Sequence, residues 1–154
     1  MIEKRNNRPN VWDRVDDRMQ AAMHSFSQGY LDFLNRAKTE REAIEYIQQK
    51  AQQYGFTSLE AQNSIKPGDK LFVNQKGKLM ALIIVGQNPL DGFNLVVSHV
   101  DTPRLDLKPR PLYEADNLAL FKTHYYGGIK KYQWPAIPLA LHGVVVKKSG
   151  ERIT

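Results

Sequence analysis

Residues Phe93 to Ser98 form a short, nearly unbroken apolar run between the turn-forming pair Asp91-Gly92 and the stretch His99-Val100-Asp101-Thr102-Pro103. A strand with one face in water alternates apolar and polar side chains, because successive side chains point to opposite faces. A run that does not alternate reads as a strand buried on both faces, as in a sheet covered by helices. That single feature predicts an α/β or α+β architecture, and the residues before it supply the helices.

Pro9 to Lys38 reads as helix. Val11, Trp12, Val15, Met19 and Ala22 recur at helical spacing, as do Tyr30, Phe33, Leu34 and Ala37, and Gly29 is the expected break between two pieces. A stripe of this kind is expected to be core. A second helix begins at Thr39. Thr39-Glu40-Arg41-Glu42 has capping-box spacing, so the Thr39 hydroxyl can accept from the Glu42 N–H while the Glu42 carboxylate reaches back. Ala43, Ile44, Ile47, Ala51 and Tyr54 make its apolar stripe, and Gly55 suits the position just past its end.

From Ser64 the pattern changes to strands. Lys66-Pro67-Gly68-Asp69 is turn chemistry, and Leu71–Asn74 and Leu79–Val85, joined by Gln75-Lys76-Gly77-Lys78, predict a hairpin. After Thr102-Pro103 the texture shifts again. Residues 103–117 carry Pro103, Pro109 and Pro111 among charges and read as irregular or extended. Leu118–Tyr126 reads as a strand, Gly127-Gly128 as a turn, and Leu139–Lys147 as a further strand. Lys148-Ser149-Gly150-Glu151 then turns into a return strand of Arg152, Ile153 and Thr154. Three residues are too few to pair the strand before them, so the pattern predicts that its partner continues past Thr154.

The chain has 154 residues, 42% of them hydrophobic and 25% charged, a balance that predicts a packed core and not disorder. With no cysteine there is neither a disulfide framework nor a thiolate metal site. No apolar run approaches the length of a membrane span, and the polar, basic first ten residues lack the apolar stretch of a secretory leader; a cytoplasmic location is expected. The net charge of +6 does not point to nucleic acid: residues 104–131 contribute +3 and residues 132–154 contribute +2, without a basic run interleaved with aromatics.

Of the four histidines, His24 lies in the first helical stretch without an acidic partner at a useful spacing, and His142 reads as a packed, hydrogen-bonded residue. His99 differs. It follows the apolar strand directly, and ligands of open α/β sheets gather at the carboxyl ends of strands. On extended backbone, residues two apart share a side, so Asp101 can fix the tautomer and orientation of the His99 imidazole while its other nitrogen binds a metal. One histidine cannot hold zinc alone, since catalytic zinc takes three protein ligands. Ser98 is no nucleophile partner for His99, because neighbours on a strand face apart and the glycines of a nucleophile elbow are missing.

Val96-Val97-Ser98-His99-Val100-Asp101-Thr102-Pro103-Arg104-Leu105-Asp106-Leu107-Lys108-Pro109 resembles the first metal-ligand segment of M18 (aspartyl aminopeptidase-like) zinc aminopeptidases. Thr123-His124-Tyr125-Tyr126-Gly127-Gly128-Ile129-Lys130-Lys131-Tyr132-Gln133-Trp134, followed by Pro138-Leu139-Ala140-Leu141-His142-Gly143-Val144-Val145, resembles the second signature stretch, in the form of the bacterial branch. Lys38-Thr39-Glu40-Arg41-Glu42-Ala43 is similar to the start of a helix in that branch. Aspartyl-specific members carry Asp-Arg just after the tryptophan; here Pro135-Ala136-Ile137 follow Trp134.

The resemblance implies an N-terminal fragment. Residues 1–102 would be the N-terminal part of a phosphorylase/hydrolase-like metallopeptidase domain, and residues 103–154 the start of an inserted, mostly β oligomerisation (dimerisation) domain. It implies His99 as a zinc ligand in a site holding two Zn2+, and Asp101 as the catalytic-site carboxylate behind it. The remaining ligands and the general base would lie beyond Thr154. The implied activity is removal of N-terminal residues from peptides by two-zinc hydrolysis, absent from this chain in isolation. The implied partners are peptides and, in the full-length protein, further copies of itself. The competing reading is a non-catalytic self-association module with an idle His-x-Asp pair.

Overall fold

The computed structural model describes residues 9–88 and 91–154. They fall into two compact units, one ending at Arg36 and one spanning Ala37–Thr154.

The first unit is a 3-10 turn at Val11–Arg14 and a helix, α1, at Asp17–Arg36. Asp16 starts the helix: its carboxylate accepts from the Met19 N–H at 2.7 Å and its carbonyl from the Gln20 N–H at 2.9 Å. The break in the helical stretch therefore falls at Val15-Asp16 and not at Gly29, which α1 runs straight through. An interior glycine costs only about 1 kcal/mol relative to alanine, which a twenty-residue helix absorbs. The expectation that its apolar stripe is core fails here: no residue of α1 is buried, because the described residues of this unit supply no second layer to cover it.

The second unit opens with α2 (Glu40–Gln53). The Thr39 hydroxyl accepts from the Glu42 N–H at 3.3 Å, as the sequence predicts, while Glu42 Oε2 reaches back to the Lys38 N–H, one residue earlier than expected. At the far end the Gly55 N–H bonds Gln52 O and the Phe56 N–H bonds Ala51 O, both at 3.0 Å, a Schellman closure that needs the positive φ of Gly55. Strand β1 (Thr57–Ser58) runs parallel to β2 (Lys70–Gln75), and β2 is antiparallel to β3 (Leu79–Ile84). The β2–β3 hairpin forms where the sequence places it. Lys76 and Gly77 both have positive φ and the Lys78 N–H returns to Gln75 O, the type I′ geometry that matches strand twist. α2 lies on β2 and β3, and the core is what they enclose: Ala43, Ile44 and Ala51 of the helix with Leu71 and Phe72 of β2, and Ala37 nearby in sequence to the cap.

Of the two readings of residues 103–117, irregular or extended, the extended one holds. Arg104–Ala115 is the longest strand, β4, and it pairs antiparallel with β5 (Leu118–Tyr126) through a turn at Asp116-Asn117, where both residues have positive φ. Pro109 and Pro111 sit where the ladder is interrupted. Between Leu107↔Thr123 and Leu112↔Phe121, residues 108–111 face Lys122 alone, and Arg110 takes a positive φ of 53°. Proline lacks the N–H a ladder needs, and a bulge is where a strand tolerates it. The expected strand Leu139–Lys147 shrinks to β6 (Val145–Val146), which meets β7 (Arg152–Ile153) across the predicted turn.

The expected buried strand Phe93–Ser98 is also corrected. The segment is neither in a ladder nor covered: Val96 is 96% exposed and Val97 78%. A strand exists only through neighbours that take its N–H and C=O groups, and the described sheets leave none beside it. Bare apolar backbone of this kind adds strands from other molecules. The 154-residue polypeptide is therefore expected to gain mass with concentration in light scattering despite its charge of +6, and the paired substitution Val96→Lys, Val97→Lys to restore the monomer. A monomer at every concentration in the unsubstituted chain would show that the run is already covered.

Candidate metal-ligand site

His99 and Asp101 lie on the segment that leads into β4, and the structure brings them together as the spacing predicts. His99 Nδ1 is 2.9 Å from the Asp101 carbonyl oxygen and 3.0 Å from Asp101 Oδ1. Both partners can only accept, so Nδ1 carries the proton and donates to them. In the neutral ring this leaves Nε2 with a bare lone pair, on a side chain 82% exposed. The arrangement presents one nitrogen of metal-ligating character, held in the tautomer that ligation requires.

Asp101 is itself gripped from the hairpin. The Tyr126 hydroxyl, at the end of β5, donates to Asp101 Oδ2 at 2.6 Å, so each carboxylate oxygen has its own donor. The bond from Tyr126 is the foremost reason that the Asp101 carboxyl is held below its ordinary range, followed by backbone and His99 contacts. The same bond pushes the Tyr126 phenol upward, so the proton stays on the tyrosine. Gly127, at φ +77°, turns the chain directly after β5, and a Cβ there would meet Pro103 Cα at 3.4 Å. The end of β5 thus closes onto the residue just before β4.

Beneath Tyr126 sits Arg104. Its guanidinium carbon is 4.2 Å from the Tyr126 ring centroid, its Nε donates to Asp106 Oδ1 at 2.7 Å, and its Nη2 pairs with Glu40 Oε1 at 3.1 Å. Glu40 is the first residue of α2, so this one arginine ties the hairpin base to the helix that carries the core. A second tie runs from His142, whose Nδ1 is 2.9 Å from Glu42 Oε1; the expected hydrogen bond forms, but the residue is exposed and outside any strand, not packed. Burial opposes ionisation of Glu42, but hydrogen bonds from His142 and Thr39 outweigh it and hold its pKa below the usual carboxylate value.

Among the described residues no three His, Cys, Asp or Glu side chains converge on a possible metal position. The residues present therefore fit one corner of a zinc site, His99 Nε2 with Asp101 behind it, and no more. His24 is exposed on α1, and His124 stacks on Tyr125 at 5.2 Å beside an open cleft of about 420 Å³ whose lining includes Leu105, Tyr125, Trp134 and Pro135 but neither His99 nor Asp101. Sequence reasoning missed Tyr126 and Arg104 as parts of the site; the signal that carried them was the pairing Arg104↔Tyr126 across the hairpin. No helix among the described residues is long and apolar enough to cross a membrane.

Comparisons with known proteins converge. A family model described as "Aminopeptidase I zinc metalloprotease (M18)" matches residues 33–154. A Borrelia garinii protein named "Probable M18 family aminopeptidase 1" is 45% identical over 145 residues, covering 94% of this chain and 32% of that protein. The crystal structure of aminopeptidase I from Borrelia burgdorferi B31 superposes with a TM-score of 0.87 at 44% identity, over 94% of this chain and 36% of that one. The M18 aminopeptidase structure from Thermotoga maritima does so with a TM-score of 0.84 at 42% identity, over 95% and 32%. The chain spans about a third of the length of the relatives it matches. With a family model over most of its length and relatives above 40% identity along nearly all of it, the chain belongs to the M18 family of zinc metalloproteases.

Proposed function

We propose that residues 1–154 supply the N-terminal part of a zinc-dependent aminopeptidase, with His99 as a ligand in a two-zinc site and Asp101 as the carboxylate that orients it. The observation that carries this reading is the pinned tautomer: Nδ1 spent on Asp101 and Nε2 bare and exposed. Bound zinc would lower the pKa of a coordinated water and polarise the scissile carbonyl of a peptide. This chain's own contribution is to hold one ligand ring at a set angle and to place a negative charge behind it, which raises the basicity of the ligating nitrogen. On the same reading residues 1–102 belong to the catalytic domain, and the β4–β5 hairpin opens an inserted, mostly β domain through which the full-length protein self-associates.

The test is a chimera in which residues 1–154 replace the matching third of the Thermotoga maritima relative. The expected result is release of nitroaniline from aminoacyl-nitroanilides, lost with a chelator and restored by zinc, while the 154-residue chain alone shows none. A chimera with the circular dichroism of the parent and no zinc-dependent turnover would overturn the reading.

A further inference from the structure

We propose that Tyr126 is a positioning residue that sets the zinc-facing nitrogen of His99 through Asp101, so that the β4–β5 hairpin governs a ligand it does not itself contain. The inference rests on the proposed function only for its consequence, since the relay is defined without metal. A half-buried carboxylate two residues from a histidine can still rotate unless its second oxygen is held. Here Oδ2 is held by the Tyr126 hydroxyl at 2.6 Å, which leaves Oδ1 facing His99 Nδ1 at 3.0 Å. The hydroxyl is in turn placed by its ring, which lies against the Arg104 guanidinium at 4.2 Å. Arg104 is fixed on two sides, by Asp106 at 2.7 Å and Glu40 at 3.1 Å. Four consecutive contacts thus run from the start of α2 to the imidazole, and each is a short polar bond or a ring stacked on a cation. Tyr126 is the side chain in this relay that no other duplicates, since no other side chain among the described residues donates to Asp101 Oδ2; the Asp101 carbonyl oxygen, 2.9 Å from His99 Nδ1, acts beside the relay.

Tyr126→Phe removes the hydroxyl and leaves the ring against Arg104, so the hairpin is kept while the relay is cut. The readout is the tautomer of His99 in the 15N-labelled 154-residue chain, from long-range 1H–15N correlation of the imidazole nitrogens. In the unsubstituted chain the bare-nitrogen signal is expected at Nε2 alone; in Tyr126→Phe a second bare-nitrogen population is expected at Nδ1, with unchanged backbone shifts in β4 and β5. Asp101→Ala, which leaves only the backbone carbonyl of residue 101 facing Nδ1, serves as the reference for a fully broken relay. In the chimera, Tyr126→Phe is expected to lower zinc affinity about 10–100-fold, the usual cost of losing an outer-shell partner, with activity recovering at higher zinc. His99 held at Nε2 in Tyr126→Phe overturns the inference. A zinc chloride titration separates the two readings: a tautomer shift in Tyr126→Phe together with an Nε2 signal blind to zinc in the active chimera keeps the relay and removes His99 as a ligand.

Discussion

Replacing His99 by alanine in the zinc-dependent chimera is expected to abolish turnover, and Asp101→Asn to lower it by about 10–100-fold. The two effects differ because the two residues do different work. A catalytic zinc held by three protein ligands loses its geometry when one is removed, and the open position that takes water is lost with it. On the proposed reading Asp101 would act on the metal only through the His99 ring. Asparagine still offers an oxygen to His99 Nδ1, but it brings no charge, and its amide would face the Tyr126 hydroxyl that now donates to Oδ2. The orientation is therefore weakened and the ligand retained. The measurements are kcat/KM and bound zinc by atomic absorption, across a series of zinc concentrations. Asp101→Asn should regain most activity as zinc is raised, and His99→Ala should not. A His99→Ala chimera within about tenfold of its parent would remove His99 from the metal site.

How much of this was legible beforehand depends on the range over which each interaction acts. Caps and two-residue turns are local, so Thr39, Gly55 and the Lys76-Gly77 turn could be read directly from the chain. The contact between His99 and Asp101 spans two residues and was legible for the same reason. Register was not. Counting back from the pair Ala115↔Leu118 without interruption places Leu107 opposite Tyr126, whereas the bulge at residues 108–111 shifts the ladder so that Arg104 faces Tyr126. Pro109 and Pro111 announced an irregularity but not its size, and on that size depends which residue meets Asp101. Burial was misjudged for a different reason. An apolar stripe or run records what a segment is able to bury, and the partner that buries it is encoded elsewhere. The α1 stripe and Phe93–Val97 both carry the pattern and both lie open here, while Ile44 and Leu71, with equally ordinary patterns, are covered because α2 and β2 meet.

That meeting is thin, and Ile44→Ala is expected to cost about 2–5 kcal/mol of stability. Six residues make up the buried apolar core among those described, and three of them, Ala37, Ala43 and Ala51, have no side chain beyond a methyl. The remaining burden falls on Ile44, Leu71 and Phe72, and Ile44, on the buried face of α2, is only 2% exposed. Truncation there leaves a cavity between a capped helix and a hairpin whose register is fixed at both ends, so neighbours have little freedom to collapse into it. Domains have about 5–15 kcal/mol in total, and a core this small belongs at the low end, so the loss takes a large share of what holds the unit together. Ile84 provides the control. It is the same residue type, at the end of β3 and 67% exposed, and Ile84→Ala should stay within about 0.5 kcal/mol of the unsubstituted chain. The comparison is made by urea unfolding followed through helical circular dichroism, at a concentration where light scattering shows the same mass for all three proteins. Because α2 also carries Glu40 and Glu42, unfolding it releases Arg104 and His142 as well, so the tautomer signal of His99 should disperse in the same transition. Equal midpoints for the two alanine variants would mean that the α2 face is not what stabilises this unit, and that the site is held by the hairpin alone.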